Sequence, residues 1–359
     1  MIHGIKMPSD NVKSFSPKEV YFLGAGTSAI VGIPTFGDFR KKAQEICKNN
    51  LPDDMFKKIL EDWETNFNEF NIEQYFAAIE MLEKLSSAPN SGDIETITSD
   101  DVKKFILSTI QKSILNTNNN NNNNNSFYEF LSRLSRIGVS HSAIVTTNWD
   151  IVLETIPQFS LIRNWINYEG VQLYNINESI TQEAQFHILK LHGSLNWGYC
   201  SVCKKTYYFE EMYDSERLSE KTCNDLSCKG KLKSLVVPPT LSKLSNAESQ
   251  LIQIWKIAYK YLKSCEKIYF IGYSFPVTDV EMEIFISNAL RNNSKLEEVV
   301  VVSNGKHTQS KIDFEKRYRS IIPKRISESQ ITYHYDGFER FYEKLPEFPS
   351  RQGRSLFEW

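Results

Sequence analysis

Residues 20–39 read VYFLGAGTSAIVGIPTFGDF, Val20 to Phe39. Val20 to Leu23 is a short apolar run of β-formers, which predicts a buried strand. Gly24-Ala25-Gly26 follows at once, then Thr27 and Ser28, a sequence suited to a tight turn into a helix start. Glycine tolerates unusual backbone angles there, and its missing Cβ would let a phosphate group approach backbone N–H groups at the helix N-terminus. A second loop, Gly32-Ile33-Pro34-Thr35-Phe36-Gly37, brings a rigid proline and an aromatic close to the same turn. A GxG pair alone also fits an ordinary strand-to-helix turn; the longer string fits that alternative less well.

Outward from this stretch the pattern alternates. Asp38 to Lys48 is expected to be helical, and apolar residues recur through 53–87 (Phe56, Ile59, Leu60, Trp63, Ile72, Tyr75, Phe76, Ile79, Met81, Leu82, Leu85) at helical spacing. A loop at Ser86 to Asp93, a helix over about Ser99 to Leu115 and another over Phe127 to Ile137 follow. Between the last two, the unbroken asparagines from Asn118 to Asn125 have no apolar face to bury and are expected to form a flexible surface loop.

Further strands are expected at His141 to Val145, Phe186 to Leu191, Leu235 to Thr240, Lys267 to Ile271 and Glu298 to Val302. Helices follow at about Ser245 to Leu262 and after Asp279, which is placed to cap the helix carrying Met282, Ile284, Phe285 and Ile286. Strands and helices thus alternate, with polar residues gathered at strand ends. That is the pattern of an α/β fold built on a doubly wound parallel sheet.

Ligand-binding residues of such sheets sit just past the carboxyl ends of strands. Thr146-Thr147-Asn148-Trp149-Asp150 stands there; capping of the next helix accounts for one of these polar residues but not for the group. His192-Gly193-Ser194 ends the strand FHILKL, where a catalytic side chain would be presented, whereas His187 inside that strand is expected to be structural. Cys200-x2-Cys203-x19-Cys223-x4-Cys228 has the spacing of a structural zinc site, with two incidental thiol pairs as the alternative. Cys47 and Cys265 stand alone and are expected to be buried apolar residues.

Composition bounds the rest. At 359 residues, 41% hydrophobic and 24% charged, the chain can bury a sizeable core, and a net charge of −2 gives no bulk electrostatic footprint for nucleic acid. Around the cysteines, Lys204, Lys205, Lys229, Lys231 and Lys233 are offset by Glu210, Glu211, Asp214, Glu216 and Glu220, so direct nucleic-acid binding is not expected there either. No run approaches the roughly 20 apolar residues of a membrane span, and the first twenty residues lack a signal-peptide pattern. A soluble cytoplasmic protein without membrane contact is expected.

In order along the chain, GAGTSAIVGIPTF, TTNWD, LHGS, the four-cysteine module, GYSFP and VVSN resemble the sirtuin superfamily, over roughly residues 20 to 305. The resemblance implies a Rossmann-like NAD-binding domain in three parts (1–47, 138–198 and 234–345). It also implies a helical insertion at 48–137, a zinc ribbon at 199–233 and a C-terminal tail at 346–359. It places Gly24, Ala25, Gly26, Thr27 and Ser28 at the pyrophosphate and Pro34 and Phe36 over the nicotinamide end. Asn148 and Asp150 fall beside the nicotinamide ribose, with Thr147 in the same NAD-binding segment, and His192 at the catalytic histidine. Gly272, Ser274 and Asn304 fall at the adenosine half, and Cys200, Cys203, Cys223 and Cys228 at a structural Zn2+.

The departures narrow the expectation. Protein deacylases of the family carry Phe-Arg where this chain has Phe36-Gly37, with Arg40 one turn away, and Gln-Asn-Ile-Asp where it has Thr147-Asn148-Trp149-Asp150. Their Phe-Gly-Glu strand end, which pairs with the substrate peptide, is here Val236-Val237-Pro238-Pro239-Thr240, and two prolines remove the donors that such a strand needs. The GYSFPVTD loop and the large helical insertion resemble instead the sirtuin-like NAD hydrolases of prokaryotic antiphage defence, although the zinc module is more usual in deacylases. The expected activity is NAD cleavage to nicotinamide and ADP-ribose; an NAD-dependent lysine deacylase and a non-catalytic NAD or ADP-ribose sensor are the alternatives. An unregulated NAD hydrolase would drain its own cell, so control is expected through a homo-oligomer or an activating protein partner.

Overall fold

The computed structural model describes residues 15–30, 32–49, 54–85, 97–118, 141–155, 166–168, 186–209, 218, 220–237, 248–276, 279–303 and 311–344. Its main element is a seven-stranded parallel sheet in the order β10-β9-β8-β1-β2-β4-β3. The strands are β1 (Glu19–Leu23), β2 (Ser142–Thr146), β3 (Ile166–Tyr168), β4 (Phe186–Lys190), β8 (Lys267–Ile271), β9 (Glu298–Val302) and β10 (Ile331–His334). Continuous apolar runs form its inner strands because a parallel sheet covered on both faces buries both side-chain sets. Val20, Phe22, Val145, Ile188, Ile268 and Val299 are all fully buried.

Register sets the geometry of the site. Leu23 pairs with both Thr146 and Ile271, Thr146 with Lys190, and Ile271 with Val302. Gly24, Thr147, Leu191, Gly272 and Ser303 therefore leave the sheet at one level. The chain passes from β1 to β2 on one side, while β8 and β9 lie on the other, so strand order reverses around β1. In an open α/β sheet, that reversal opens the ligand-binding crevice.

Helix α1 (Ala25–Ala29) leaves β1 directly. Helices α2 (Phe39–Asn49), α3 (Asp54–Asn66), α4 (Ile72–Leu85) and α5 (Ser99–Asn118) pack together around Trp63. Its ring lies 5.5 Å from Tyr75 and 6.5 Å from Phe39, and its Nε1 donates to the Phe70 carbonyl at 2.9 Å. Of the asparagine run, Asn118 closes α5; Asn119 to Asn125, the loop expected at Ser86 to Asp93 and the helix expected at Phe127 to Ile137 lie outside the described residues. Beyond α6 (Val152–Thr155), helices α7 (Ser249–Ser264) and α8 (Val280–Arg291) pack on each other. Helix α9 (Lys311–Ile321) packs on α8, and α10 (Gly337–Lys344) on β9. Among the described residues no helix is long and apolar enough to cross a membrane.

Three sequence expectations change, besides that for Cys47, which is half-buried rather than buried. Of the strand expected at Leu235 to Thr240, Leu235 and Val236 belong to β7 (Leu232–Val236), part of a separate three-stranded antiparallel sheet, β6-β5-β7, while Pro238 to Thr240 lie outside the described residues. Its partners β5 (Gly193–Cys200) and β6 (Thr206–Tyr208) carry no clean alternation that would have announced them. The third change concerns Asp279, which occupies the N-cap of α8 but makes no capping bond with its side chain. Its Oδ2 accepts instead from the Tyr273 hydroxyl at 2.5 Å. Burial, with the Asp279 carboxylate beside it, pushes the Tyr273 phenol far above its ordinary value, so it remains the donor.

Candidate functional site

The first loop of the crevice is built by backbone touching backbone. Gly24 and Gly26 lie directly against Gly272, the first residue past β8. A Cβ on Gly24 would fall 2.6 Å from the Gly272 oxygen, and one on Gly26 would fall 2.8 Å from its Cα. Gly272 itself has φ +65, and a Cβ there would meet the Thr27 nitrogen at 2.5 Å. The Gly26 N–H donates to the Gly272 oxygen at 2.8 Å and that of Thr27 to the Gly24 oxygen at 3.0 Å. The glycines are thus required by loop-on-loop contact, a reason the GxG spacing alone does not reveal.

The turn after β2 closes onto this loop. Asn148 Nδ2 reaches the Gly24 carbonyl at 3.0 Å, Ser28 Oγ at 2.8 Å and Thr27 Oγ1 at 3.3 Å. A carbonyl only accepts, so the amide's NH2 end must face inward, and its donors are used there. Ser28 Oγ in turn donates to Asp150 Oδ2 at 2.6 Å, while Asp150 Oδ1 accepts from the Val152 N–H at 3.0 Å. Ser28, Asn148 and Asp150 form one hydrogen-bonded chain across 122 residues of sequence. Ser28 and Asp150 are buried; Asn148 and Thr147 are half-buried.

His192 follows β4 and is 5% exposed. Backbone bonds tie its turn to that of Asn148: Leu191 N–H to the Thr146 carbonyl and Leu195 N–H to the Trp149 carbonyl, both at 2.9 Å. The Trp255 ring of α7 lies 6.1 Å from the imidazole, and its Nε1 donates to the Leu191 oxygen at 2.8 Å. Gly193 has φ +83, and a Cβ there would strike the Leu235 oxygen, so the chain can turn after His192 only with glycine. His187 instead stacks on Phe15 at 3.5 Å, the structural place expected for it.

Ala25 is exposed at the start of α1, and Pro34 and Phe36 are half-buried in the loop after it. Ser274 is exposed past β8, followed by Phe275 at a left-handed φ of 49. Asn304 lies outside the described residues. Arg40 donates to the Phe67 and Phe70 carbonyls at 3.2 and 2.9 Å and lies 4.5 Å over Trp63, so it ties the α3–α4 turn.

Spacing did not announce a buried ion pair behind the turn. Lys190 and Glu154 are joined at 2.8 Å with both side chains almost wholly buried, and Tyr168 also donates to Glu154 at 3.0 Å. A charge at a strand end reads as solvent-facing until its partner, 36 residues away, is placed.

At the far end of β5, the sulfurs of Cys200, Cys203, Cys223 and Cys228 all lie within 4.8 Å of one another. The Cys200–Cys228 and Cys203–Cys223 separations are 3.6 and 3.4 Å. Tetrahedral Zn–S bonds of about 2.3 Å require sulfurs about 3.8 Å apart, so the donor set fits a zinc ion. Burial raises the Cys200 thiol, but the backbone amides of Cys203 and Val202, together with the Cys203 and Cys228 side chains, outweigh it and hold the group down to about 7. A Cβ on Gly230 would fall 2.6 Å from the Cys200 sulfur, and the Gly230 N–H donates to Cys228 Sγ at 3.4 Å.

A parallel sheet with interlocked glycine loops at its reversal of strand order defines a crevice-binding α/β protein. The chain belongs to the SIR2-like family: the family model described as SIR2-like domain matches residues 142–322. Similar solved structures include a mutant Sir2 homologue in complex with ADP-ribose (15% identity, 91% of this chain and 92% of that one, TM-score 0.44). A Sir2 complex with a p53 peptide and NAD+ is similar at 14% identity, over 90% of each chain, with TM-score 0.41. A third, from work on the mechanism and regulation of Sir2 enzymes, is similar at 16% identity, over 91% of this chain and 90% of that one, with TM-score 0.42. In sequence, no curated protein matches the chain.

Proposed function

We propose that the protein hydrolyses the bond between nicotinamide and ribose in NAD, releasing nicotinamide and ADP-ribose. The observation that carries this reading is the enforced orientation of Asn148. With its NH2 end turned to Gly24 and Ser28, only Oδ1 is left for a ligand, so Asn148 serves as an acceptor. An acceptor fixed at the sheet edge can take a hydrogen bond from a water or ribose hydroxyl and set its line of attack. The sequence allowed Asn148 both roles; this geometry assigns the donor half to the protein.

His192 draws the proton from that water or hydroxyl as general base. Both Asp150 oxygens are already engaged, so its carboxylate acts as a fixed negative charge facing the oxocarbenium-like centre that forms as neutral nicotinamide leaves. Gly24, Ala25, Gly26, Thr27, Ser28, Pro34, Phe36, Thr147, Gly272, Ser274 and Asn304 line the NAD site on this reading. The four cysteines hold one structural zinc; four thiolates complete its shell and leave no position for substrate. The same reading keeps the division into an NAD-binding domain, a helical insertion at 48–137 and a zinc module at 199–233.

Hydrolysis rather than deacylation is supported by Pro238 and Pro239, which deny a peptide strand two donors just past β7. Defence against phage by NAD depletion is the setting we propose, on the strength of the GYSFPVTD resemblance, with a partner or self-assembly as the trigger. Purified protein is incubated with NAD alone and nicotinamide and ADP-ribose are followed by chromatography, then again with an acetyl-lysine peptide. Nicotinamide release without peptide, lost in His192→Ala, is the expected result. Release only with peptide, with acyl transfer to ADP-ribose, makes the protein a deacylase. ADP-ribose or NAD binding with no turnover in either assay makes it a sensor.

A further inference from the structure

We propose that Lys190 is a positioning residue for the Thr147–Asp150 turn and acts through the backbone carbonyl of Asp150. Lys190 ends β4, paired with Thr146 in register, and its side chain is fully buried. Its Nζ donates to the Asp150 carbonyl at 2.6 Å and to Glu154 Oε1 at 2.8 Å. Glu154 Oε1 also accepts from the Tyr168 hydroxyl at 3.0 Å. Three elements, β4, α6 and β3, thus grip the back of a turn whose front carries Asn148 and the Asp150 carboxylate.

A buried ion pair is usually no more stabilising than apolar residues of the same volume. What an apolar residue could not supply is a donor to the Asp150 oxygen. Asp150 is the hinge between that carbonyl and its carboxylate bonds to Ser28 and Val152, so a carbonyl left unheld frees the turn to rotate. The side chain of Lys190 touches the turn from behind, so its effect on the reaction is indirect. The inference rests on the reading above that Asn148 and Asp150 flank the reacting centre.

Removing Lys190 alone would strand a buried carboxylate, so the test compares Glu154→Gln with the double variant K190M/E154Q. The first keeps the donor to Asp150 but leaves Lys190 without its carboxylate, a stability cost that thermal unfolding reports separately from kcat; the second removes the donor without leaving a charge. For Glu154→Gln, kcat is expected within about twofold of wild type. For K190M/E154Q, kcat falls about tenfold while the KM for NAD stays within about twofold. Deuterium exchange of the peptide over residues 146–155, which contains the Val152 N–H, speeds up in the double variant only. A folded double variant with wild-type kcat and exchange overturns the proposal, as does an equal loss in both variants, which marks the pair as structural. If wild type releases no nicotinamide, the hydrolase reading has failed, and exchange alone decides: faster only in the double variant supports Lys190 as the turn's anchor, unchanged overturns it. Should K190M/E154Q not fold, K190Q/E154Q, polar but one atom short of the carbonyl, takes its place in the same comparison.

Discussion

Val, Ile, Leu and Phe fill both faces of the inner strands of the parallel sheet, whereas the second core under the antiparallel sheet holds Cys200, Tyr207, Leu218, Cys223, Cys228 and Leu232. Half of that small cluster is thiol. The first region buries enough apolar surface, at about 25 cal/mol per Å2, to fold on hydrophobic burial. The second is too small for that and brings four sulfurs into coordination distance instead. Strand β5 joins the two: Leu195, Trp197 and Tyr199 belong to the main core and Cys200 to the small one. The difference teaches where each region is vulnerable, one to cavities and backbone crowding, the other to loss of a ligand.

Metal removal should separate the regions most sharply. Elemental analysis is expected to give one zinc per chain, and chelation or Cys200→Ser is expected to cost the small sheet most of its stability, since structural zinc supplies about 10 kcal/mol in small domains. Calorimetry should show a new low-temperature transition while the main one persists; a metal-free wild type of undiminished stability breaks the comparison. Coordination requires thiolates, so acidification should release the metal before the parallel sheet unfolds.

At the sheet edge the largest effects should fall on chemistry, with smaller ones on stability. His192→Ala and Asn148→Ala are each expected to lower NAD cleavage by about 10²–10⁴-fold while the far-UV spectrum stays that of a folded protein, with Asn148→Ala also losing about 1 kcal/mol of stability for its bonds to Gly24 and Ser28. Wild-type turnover in either variant removes that residue from the reaction. Gly272→Ala is next: a left-handed φ together with a Cβ 2.5 Å from the Thr27 nitrogen should cost about 2–4 kcal/mol in denaturant unfolding. The smallest effect is expected of Ser28→Ala, about 1 kcal/mol for the lost bond to Asp150, with a severalfold drop in kcat that Ser28→Thr does not reproduce if the hydroxyl keeps its place.

Much of the parallel sheet was legible because strands buried on both faces are written as unbroken apolar runs, as in KIYFI and EVVVV. Strand β5, GSLNWGYC, was not: Ser194 and Asn196 are buried and bonded to each other at 2.7 Å, so polar letters occupy interior positions. Strand β10, ITYH, and helix α9 follow the last recognisable motif, and neither carries a strong apolar pattern. At the site, the strand-end polar residues marked the turn of Asn148 and Asp150, but not which of their atoms were already taken. Lys190 shows why: the meaning of a charge depends on a partner that only the folded chain supplies.

The contact of Gly24, Gly26 and Gly272 has a consequence for how this chain can vary. Apart from the Cβ of Tyr273 beside Gly24, only main-chain atoms meet there, so no neighbour can shrink enough to make room for a new methyl group. A larger residue at one of the three positions finds its obstacle in main-chain atoms, which no substitution elsewhere removes. Core positions can drift in compensating pairs; these three cannot, and descendants of this sequence would keep them together or lose the crevice.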